Sequence, residues 1–118
     1  CPGRQRIDTG IRAGVEATYK DADPVDIRLS LLTIGDVAVA GVNAEVFNPI
    51  ATRLKRESPY ARTIMATVTN GSARSGYIPH DAAYAQYTFE VLSSRVKPGC
   101  AESAIVNGVI DMMNEAPK

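Results

Sequence analysis

The stretch Gly41-Val42-Asn43-Ala44-Glu45-Val46-Phe47-Asn48-Pro49 joins a predicted strand to a predicted helix, and the rest of the chain is interpreted around it. Residues 37–42 (Val-Ala-Val-Ala-Gly-Val) form an apolar run of strand length bounded by turn residues, which indicates a buried strand. Glu45 follows this strand, and in α/β proteins ligands gather at the carboxyl ends of strands. A carboxylate among apolar neighbours costs free energy to desolvate unless it is paired or bound to a cation. Glu45 is therefore the leading candidate functional residue.

A helix is predicted directly after this stretch, over residues 48–57. Asn48 is a preferred N-cap residue, and Pro49 is tolerated at the first helical position because its missing N–H would be unpaired there. Apolar residues then recur at i, i+4, and Ser58-Pro59 ends the pattern. Glu45 thus lies in the short connection between a buried strand and a helix.

The composition suits one domain, a single segment over residues 1–118, with no nucleic-acid partner. The chain has 118 residues, of which 45% are hydrophobic, and this is enough to bury a core. Its 13 basic and 13 acidic side chains cancel, so there is no electrostatic footprint for nucleic acid or for an anionic membrane. No apolar run approaches the ~20 residues that span a bilayer, so no transmembrane segment is predicted.

The chain begins at Cys1 rather than at a methionine, and we interpret it as a processed or excised segment of a longer protein. Cys1 and Cys100 allow one disulfide, but the sequence alone does not show whether their geometry permits it. Cys1 also raises the alternative of an N-terminal-nucleophile amidohydrolase formed by autoprocessing, in which one residue carries both the catalytic thiol and a free amine.

The hydrophobic pattern predicts an α/β (α+β) fold with a mixed sheet. A loop or arm is expected over 1–10. Gly35-Asp36 is a two-residue hairpin signal, so the strands on either side of it are expected to pair antiparallel, with helices packed on the sheet. The predicted extended segments are 11–20, 25–34, 37–42, 62–69 and 88–96, and the predicted helices are 48–57, 80–87 and about 101–114.

Residue types alone give few candidates for chemistry. His80 is the chain's one histidine, so these residues contain no pair of histidines for a zinc motif. Neither a Gly-x-Ser-x-Gly nucleophile motif nor a phosphate-binding glycine loop is present. In the last helix, Ile105, Val109 and Met112 recur at i, i+4, i+7 and are expected to be buried, with methionine as core filler.

The sequence also brings a second side chain toward Glu45. If strand 62–69 lies parallel to strand 37–42, both end at the same edge of the sheet. The segment Gly76-Tyr77-Ile78-Pro79 follows the loop after strand 62–69, so Tyr77 could approach Glu45. A carboxylate and a phenol can both bind a Lewis-acidic metal, but a catalytic zinc usually takes three protein ligands and a water. The two residues would therefore form an incomplete metal site.

The order of motifs from Ile34-Gly35-Asp36 to Ala44-Glu45-Val46-Phe47 resembles a segment of the neutral/alkaline (non-lysosomal) ceramidase family. In that family an Ile-Gly-Asp hairpin leads to a Gly-Glu-hydrophobic turn. The similarity covers about residues 27–115 and implies the C-terminal part of a ceramidase-like hydrolase domain. The other matching motifs are Leu54-Lys55-Arg56-Glu57-Ser58-Pro59-Tyr60, Thr69-Asn70-Gly71, Gly76-Tyr77-Ile78-Pro79, Ala83-Tyr84, Glu90-Val91, Ser93-Ser94-Arg95 and Pro98-Gly99-Cys100-Ala101-Glu102.

This resemblance implies a zinc-dependent hydrolase. In the family, zinc is held by two histidines from the earlier half of the domain and by a Glu and a Tyr that match Glu45 and Tyr77. The histidines would come from a missing N-terminal segment or subunit, because His80 matches no ligand position. Zinc would polarise the carbonyl of a small amide or lipid-like substrate and activate a water. The resemblance also implies a secreted or periplasmic protein.

Two positions depart from the family pattern. Ala44 stands where the family usually has glycine. Phe89 stands where the family has a tyrosine that helps to stabilise the reacting carbonyl, and phenylalanine has no hydroxyl to donate. Tyr87 would share a strand face with Phe89 and is the candidate replacement. The alternatives are therefore cleavage of a different amide or ester, or a catalytically inactive ceramidase-like interaction domain.

Overall fold

The structure is a computed structural model that describes residues 1–8, 12–69, 71 and 75–116. Its strands are β1 (Gly3–Arg6), β2 (Tyr19–Ala22), β3 (Leu29–Ile34), β4 (Val37–Val42), β5 (Glu45–Val46), β6 (Arg62–Ala66) and β7 (Tyr77–Ile78). Its helices are α1 (Asn48–Glu57), α2 (Phe89–Ser93) and α3 (Ala101–Glu115), with a 3-10 helix over Asp81–Ala85. The predicted α/β fold class is confirmed. Within the described residues, no helix has both the length and the apolar character needed to cross a membrane.

A mixed sheet with the strand order β3-β4-β6 forms the centre of the molecule. β3 and β4 pair antiparallel, with Ile34 opposite Val37, so the predicted hairpin is confirmed. Gly35 has a φ of 59°, which glycine adopts without a steric penalty. β6 pairs with β4 in parallel, with Val39 opposite Ile64. β4 and β6 therefore end at the same edge of the sheet, as the predicted approach of Tyr77 to Glu45 requires.

The inner face of this sheet packs against α1 and α3 and forms the core. Ala38, Ala40 and Val42 of β4 are fully buried there. The small alanines leave room for larger side chains from the two helices. Those side chains are Ile50 and Leu54 of α1 and Ile105, Val106, Val109 and Met113 of α3.

Met113, rather than the predicted Met112, is the fully buried methionine of α3. The buried stripe of this helix includes Val106 as well as Ile105 and Val109. At 100° per residue, Val106 moves the centre of the stripe toward Met113 and leaves Met112 at its margin.

The opposite face of the sheet carries Leu32, Ile34, Val37, Val39 and Ile64. Successive side chains of a strand point to opposite faces, so these residues point away from α1 and α3. Leu32, Ile34 and Ile64 are exposed, whereas Val37 and Val39 between them are half-buried. The same face also carries Ser30 and Arg62 and the buried Gly41, so it is only partly apolar and partly open to solvent.

The N-terminal part of the chain holds the short helix α2 in place. β1 and β2 pair antiparallel, and Arg4 on β1 donates from Nε to the Ser94 carbonyl at 2.9 Å and from Nη2 to the Val91 carbonyl at 2.7 Å. The Arg4 guanidinium lies 3.8 Å from the centre of the Tyr19 ring, and the Tyr19 hydroxyl donates to the Leu92 carbonyl. These donors bond to carbonyl groups at the end of α2, of which that of Val91 also accepts from the Ser94 N–H at 3.2 Å.

Three predicted segments differ in the structure. The expected loop over 1–10 contains β1. The predicted strand 11–20 begins at a residue outside the described ones. Within residues 12–20, only the end pairs, as part of β2, and Gly14 has a φ of 82° that interrupts an extended chain. The expected extended segment 88–96 contains α2, because the Thr88 hydroxyl accepts from the Val91 N–H and caps a helix there. In segments 11–20 and 88–96, the alternation of apolar and polar residues predicted more strand than the structure contains.

Smaller corrections concern the ends of elements. The N-cap of α1 is Phe47 rather than Asn48, so Pro49 is its second helical residue. The Phe47 N–H bonds to the Ile78 carbonyl, which fixes the start of the helix without a side-chain cap. The predicted strands 25–34 and 62–69 shorten to β3 and β6, and the predicted helix 80–87 is the 3-10 helix.

A disulfide between Cys1 and Cys100 joins the N-terminus to the core, with their Cα atoms 5.7 Å apart. The sequence left this pairing open. Cys100 is the N-cap of α3, so the bond holds the residues before β1 against the start of a core helix. The separation of 99 residues means that it closes nearly the whole chain into one loop.

We expect reduction of this disulfide to lower the stability of the fold. In the chain-entropy account, a crosslink that closes a loop of about 100 residues stabilises the folded state by about 4–5 kcal/mol. Chemical denaturation with and without dithiothreitol measures the change, and the Cys1→Ser/Cys100→Ser double variant is the control. Reduction should lower the denaturation midpoint of the native chain only. Equal midpoints for the oxidised and reduced native chain would contradict the expectation.

Candidate functional site

Glu45 and Tyr77 are direct neighbours in the structure. Glu45 opens β5 and Tyr77 opens β7, and the two strands pair in parallel with Glu45 opposite Tyr77. Neighbouring strands lie about 4.8 Å apart, and paired residues project to the same side. The hydrogen bond from the Phe47 N–H to the Ile78 carbonyl, at 2.9 Å, continues this pairing into α1. The structure therefore brings together the two side chains that the sequence analysis selected.

Buried neighbours hold each of the two residues in place. Ala44, just before Glu45, and Ile78, just after Tyr77, are fully buried. Glu45 is exposed and Tyr77 is half-buried. The backbone is therefore anchored in the core on one side while both polar side chains remain accessible from the other.

Ala44, which departs from the pattern of the family that the sequence resembles, has an ordinary backbone conformation. Among the described residues, Val68 is the non-glycine residue with a positive φ, so Ala44 does not need the freedom of glycine. The Ala44 carbonyl accepts a hydrogen bond from the Val68 N–H at 3.2 Å. This hydrogen bond links the turn at position 44 to the chain that follows β6.

Val68 itself is strained and lies beside the candidate site. Its φ is 55°, in the left-handed region that β-branched residues rarely adopt. Its N–H bonds to the Ala44 carbonyl, and the next N–H, from Thr69, bonds to the Val42 carbonyl at 2.9 Å. These bonds carry the chain after β6 across the end of β4. Strained backbone of this kind clusters at binding and catalytic sites.

Glu45 and Tyr77 supply a carboxylate oxygen and a phenolic oxygen, which are at most two donors of a metal site. The pairing of β5 with β7 places the backbones of the two residues side by side. Among the described residues, no group of three or more His, Cys, Asp or Glu side chains could hold a metal ion. A zinc ion at this pair would therefore need further ligands from elsewhere.

His80 lies near the pair but makes structural contacts. Its ring packs against Phe47, with ring centroids 5.8 Å apart. Its Nδ1 is buried without a hydrogen-bond partner among the described residues. His80 precedes Asp81, whose backbone N–H donates to Glu102 Oε1 at 2.7 Å. We expect His80 to contribute to packing between the end of β7 and α1.

Glu102 joins three elements behind the candidate site. Its carboxylate accepts from the Asp81 N–H of the 3-10 helix and, at 2.8 Å, from Arg53 Nη1 of α1, while Glu102 itself lies in the first turn of α3. The backbone hydrogen bond from Asp81 is the main cause of a lowered pKa of Glu102, and Arg53 lowers this pKa further. The network fixes the elements that follow Tyr77 and Glu45 in the chain.

The structure also describes Tyr87 and Cys1, which the sequence suggested as candidate catalytic residues for two different mechanisms. Tyr87 is exposed and precedes the N-cap of α2, so the shared strand face with Phe89 is wrong. The Tyr87 carbonyl accepts from the Gly14 N–H at 2.6 Å. The proposed role of Tyr87 stays a prediction. Cys1 is bonded to Cys100 and has no free thiol in this structure, so the nucleophile alternative lacks its reacting group.

A cavity of about 610 Å³ lies elsewhere, between the β1–β2 pair and the end of α2. Arg4 and Tyr19 line it, and no sequence motif indicated a role for either residue. Both donate to carbonyl groups of α2, so we assign them to the structure rather than to a ligand. Neither Glu45 nor Tyr77 lines this cavity. No local motif predicts these contacts, because they join parts of the chain about seventy to ninety residues apart.

We expect Val68→Gly to stabilise the fold. A left-handed conformation costs a residue with a Cβ about 1–2 kcal/mol, and glycine removes that cost. Val68 is largely exposed, so little burial is lost, and the free energy of unfolding should rise by about 1 kcal/mol. The neighbouring Thr67→Gly, at an exposed position without positive φ, should lower it instead. Urea denaturation compares the two variants, and destabilisation by both would contradict the assignment of strain.

We expect Glu102→Gln to destabilise the fold at neutral pH by about 1–2 kcal/mol, because a charge-assisted hydrogen bond and an ion pair weaken. The folded-state pKa of Glu102 is lowered from 4.5, so its contribution is present above that value and is lost as the pH falls through the folded-state pKa. The difference from the native chain should therefore shrink in acid. Denaturation at pH 7 and pH 3 tests this, with Glu115→Gln, exposed on the same helix, as the control. A difference that is independent of pH would contradict it.

No family model, curated protein or solved structure matches this chain. The resemblance to the ceramidase family therefore stays a prediction that rests on the motifs quoted above.

Proposed function

We propose that this chain is part of a zinc-dependent hydrolase of the neutral ceramidase-like class, which cleaves an amide or ester bond. The observation that carries the proposal is the direct pairing of Glu45 with Tyr77 at the edge where β4 and β6 end. Glu45 and Tyr77, 32 positions apart in the chain, are paired on neighbouring strands. This adjacency supports the proposal that both side chains bind one metal ion.

In this proposal the chain's own residues hold a zinc ion and set its position. The carboxylate of Glu45 and the phenolic oxygen of Tyr77 are two zinc ligands, and the β5–β7 ladder fixes their spacing without help from flexible loops. A bound zinc would polarise a substrate carbonyl and lower the pKa of a bound water. The two histidine ligands belong to a segment or subunit beyond these residues.

A hydrogen-bond donor for the substrate oxygen is the second requirement. An oxyanion donor typically contributes about 3–4 kcal/mol to catalysis. Phe89 cannot supply it, and Phe89 opens α2, which packs beside β7. Tyr87 lies two residues earlier, is exposed and carries a hydroxyl. Tyr87 is the candidate donor by residue type alone, because the strand face that it was expected to share with Phe89 is not formed.

One observation favours a second candidate function. The position of the family's carbonyl-stabilising tyrosine is Phe89, which is exposed and has no polar group. A ceramidase-like domain that binds without cleaving would tolerate this change. A zinc-loaded protein that hydrolyses neither amides nor esters would support this alternative, and hydrolysis of either would exclude it.

We expect Glu45→Gln and Tyr77→Phe each to reduce zinc content in the full-length protein. Loss of a ligand should lower zinc affinity at least about tenfold, because even outer contacts of metal ligands contribute 10–100-fold. Elemental analysis after dialysis against a weak chelator measures bound zinc per chain. Matched controls are Glu115→Gln and Tyr60→Phe, which change the same residue types away from the β5–β7 ladder. Native zinc content in both ligand variants would refute the metal site.

A further inference from the structure

We infer that the cavity between the β1–β2 pair and the end of α2 binds a small organic dianion, either a phosphate monoester or a dicarboxylate. Arg6 and Arg95 are the residues that contact the negative charge of this ligand, and Ser93 adds a hydroxyl donor. The inference does not rest on the proposed function, because neither Glu45 nor Tyr77 lines this cavity.

The backbone arrangement brings three arginine residues to this cavity. Arg4 and Arg6 are two positions apart on β1, so their side chains project from the same face of the strand, about 7 Å apart along it. The chain that leaves α2 runs along the edge of β1 that does not pair with β2. There the Arg4 N–H bonds to the Arg95 carbonyl at 2.8 Å, and Gly3 forms an antiparallel bridge with Val96. Arg95 therefore lies beside Arg4 in the backbone, and all three arginines line the cavity.

The charge of the cavity favours an anion. Its lining contains the three arginines and one carboxylate residue, Asp23, which gives a net charge of +2. Asp23 follows the end of β2 that pairs with Gly3, so about 10 Å of strand separates it from Arg6 at the other end of β1. The whole chain has 13 basic and 13 acidic residues, so this positive excess is local. Like charges at this spacing repel one another, and a bound dianion would remove that repulsion.

The carbonyl groups in the cavity wall already have donors. The carbonyls of Val91 and Ser94 accept from the Arg4 guanidinium, and the Leu92 carbonyl accepts from the Tyr19 hydroxyl. Arg4 and Tyr19 thereby keep the structural role described above, and Arg4 adds its charge to the cavity. A ligand that accepts hydrogen bonds suits such a wall better than a ligand that donates them.

Arg6 and Arg95 are accessible to a ligand, because both are exposed. Arg6 forms an ion pair with Asp8 in which Nε and Oδ1 are 3.8 Å apart, and a solvent-exposed pair of this length contributes little to stability. A bound dianion can therefore compete with Asp8. The backbone of Arg95 is held on both sides, because its carbonyl accepts from Arg4 and its N–H donates to the Ser75 carbonyl at 2.9 Å. A guanidinium group offers a planar set of donors that matches a phosphate or a carboxylate.

Ser93 carries an unpaired donor at the cavity wall. Its Oγ is buried and has no hydrogen-bond partner among the described residues, although Ser93 itself lines the cavity. Buried hydroxyl groups in folded proteins are nearly always hydrogen-bonded, so this one calls for an explanation. Rotation about the Cα–Cβ bond would bring the hydroxyl from the wall to the cavity, where it can donate to a ligand oxygen.

The volume and the apolar part of the lining indicate the size of the ligand. A cavity of about 610 Å³ lies within the usual range of about 300–1,000 Å³ for small-molecule sites. It is far larger than a bare inorganic ion needs, since one water molecule occupies about 30 Å³. Val25, Leu92 and the Tyr19 ring line the same cavity and can contact a carbon skeleton. An organic molecule with two negative charges therefore fits better than free phosphate.

The first experiment measures binding to the purified protein by isothermal titration calorimetry at constant ionic strength. The probes are phenyl phosphate, succinate and the neutral benzyl alcohol. We expect at least one of the two dianions to bind, and benzyl alcohol to bind at least about tenfold more weakly, because it lacks the charge that the arginines recognise. Binding of phenyl phosphate alone identifies a phosphate monoester, binding of succinate alone identifies a dicarboxylate, and binding of both supports recognition of the double charge. If neither dianion binds at millimolar concentration, the inference is overturned.

The second experiment compares variants. Arg6→Gln and Arg95→Gln should each weaken binding of the dianion at least about tenfold, because each removes a charge-assisted contact. Ser93→Ala should weaken it about threefold, because a hydroxyl donor is lost. The matched control is Arg56→Gln, since the Arg56 side chain is 71% exposed on α1 and does not line the cavity. Native affinity in both the Arg6 and the Arg95 variant, or an equal loss in the control, would overturn the inference.

The third experiment locates the bound dianion and does not depend on any variant being folded. Hydrogen–deuterium exchange of the native protein is followed by mass spectrometry with and without the dianion that binds. We expect slower exchange in segments 3–6 and 91–96, which form the cavity, and unchanged exchange in segment 48–57 of α1. Unchanged exchange in both cavity segments at saturating ligand would overturn the inference, whatever the variants show.

Discussion

The parallel pairing of β4 with β6 is the constraint on which the rest of the structure depends. It sets β4 in the centre of the sheet and makes both strands end at one edge. The backbone hydrogen bonds from Val68 to Ala44 and from Thr69 to Val42 continue this relation past the strand ends. The short β5–β7 ladder then places Glu45 opposite Tyr77. An antiparallel β6 would end at the far edge and separate them.

This arrangement explains why so short a pair of strands can be stable. β5 and β7 contain two residues each, and such a pair has little stability of its own. Its stability comes from the fully buried Ala44 and Ile78 and from α1, which begins directly after β5. On the other side, the network around Glu102 fixes the 3-10 helix that follows β7. The polar pair is therefore held by apolar packing rather than by its own contacts.

The sequence predicted the elements whose signals are local and missed those whose causes are distant. The run 37–42, the Gly35-Asp36 hairpin and the helix 48–57 were all correct, because apolar period and turn chemistry determine them within a few residues. The approach of Tyr77 to Glu45 was conditional on a parallel β6, which no local pattern can establish. The helix α2 was missed because five residues contain too little periodicity to separate a helix from a strand.

Within the candidate site, residue types were predictable and backbone conformation was not. A carboxylate at a strand end is visible in the sequence, whereas the left-handed Val68 beside it is not, because Thr67-Val68-Thr69 has the composition of an ordinary strand. The contacts of Arg4 with α2 could not be predicted either, since they join residues about ninety positions apart in the chain.

The bond between Cys1 and Cys100 has a topological consequence. It turns residues 1–100 into a covalent ring with α3 as a tail. A single backbone cut between these cysteines opens the ring but leaves both pieces attached through sulfur. A protease that cleaves a surface loop would thus produce a nicked species of unchanged mass, apart from one added water, that separates into fragments only after reduction. In an oxidising environment, the fold can tolerate internal cleavage that would dissociate an uncrosslinked chain.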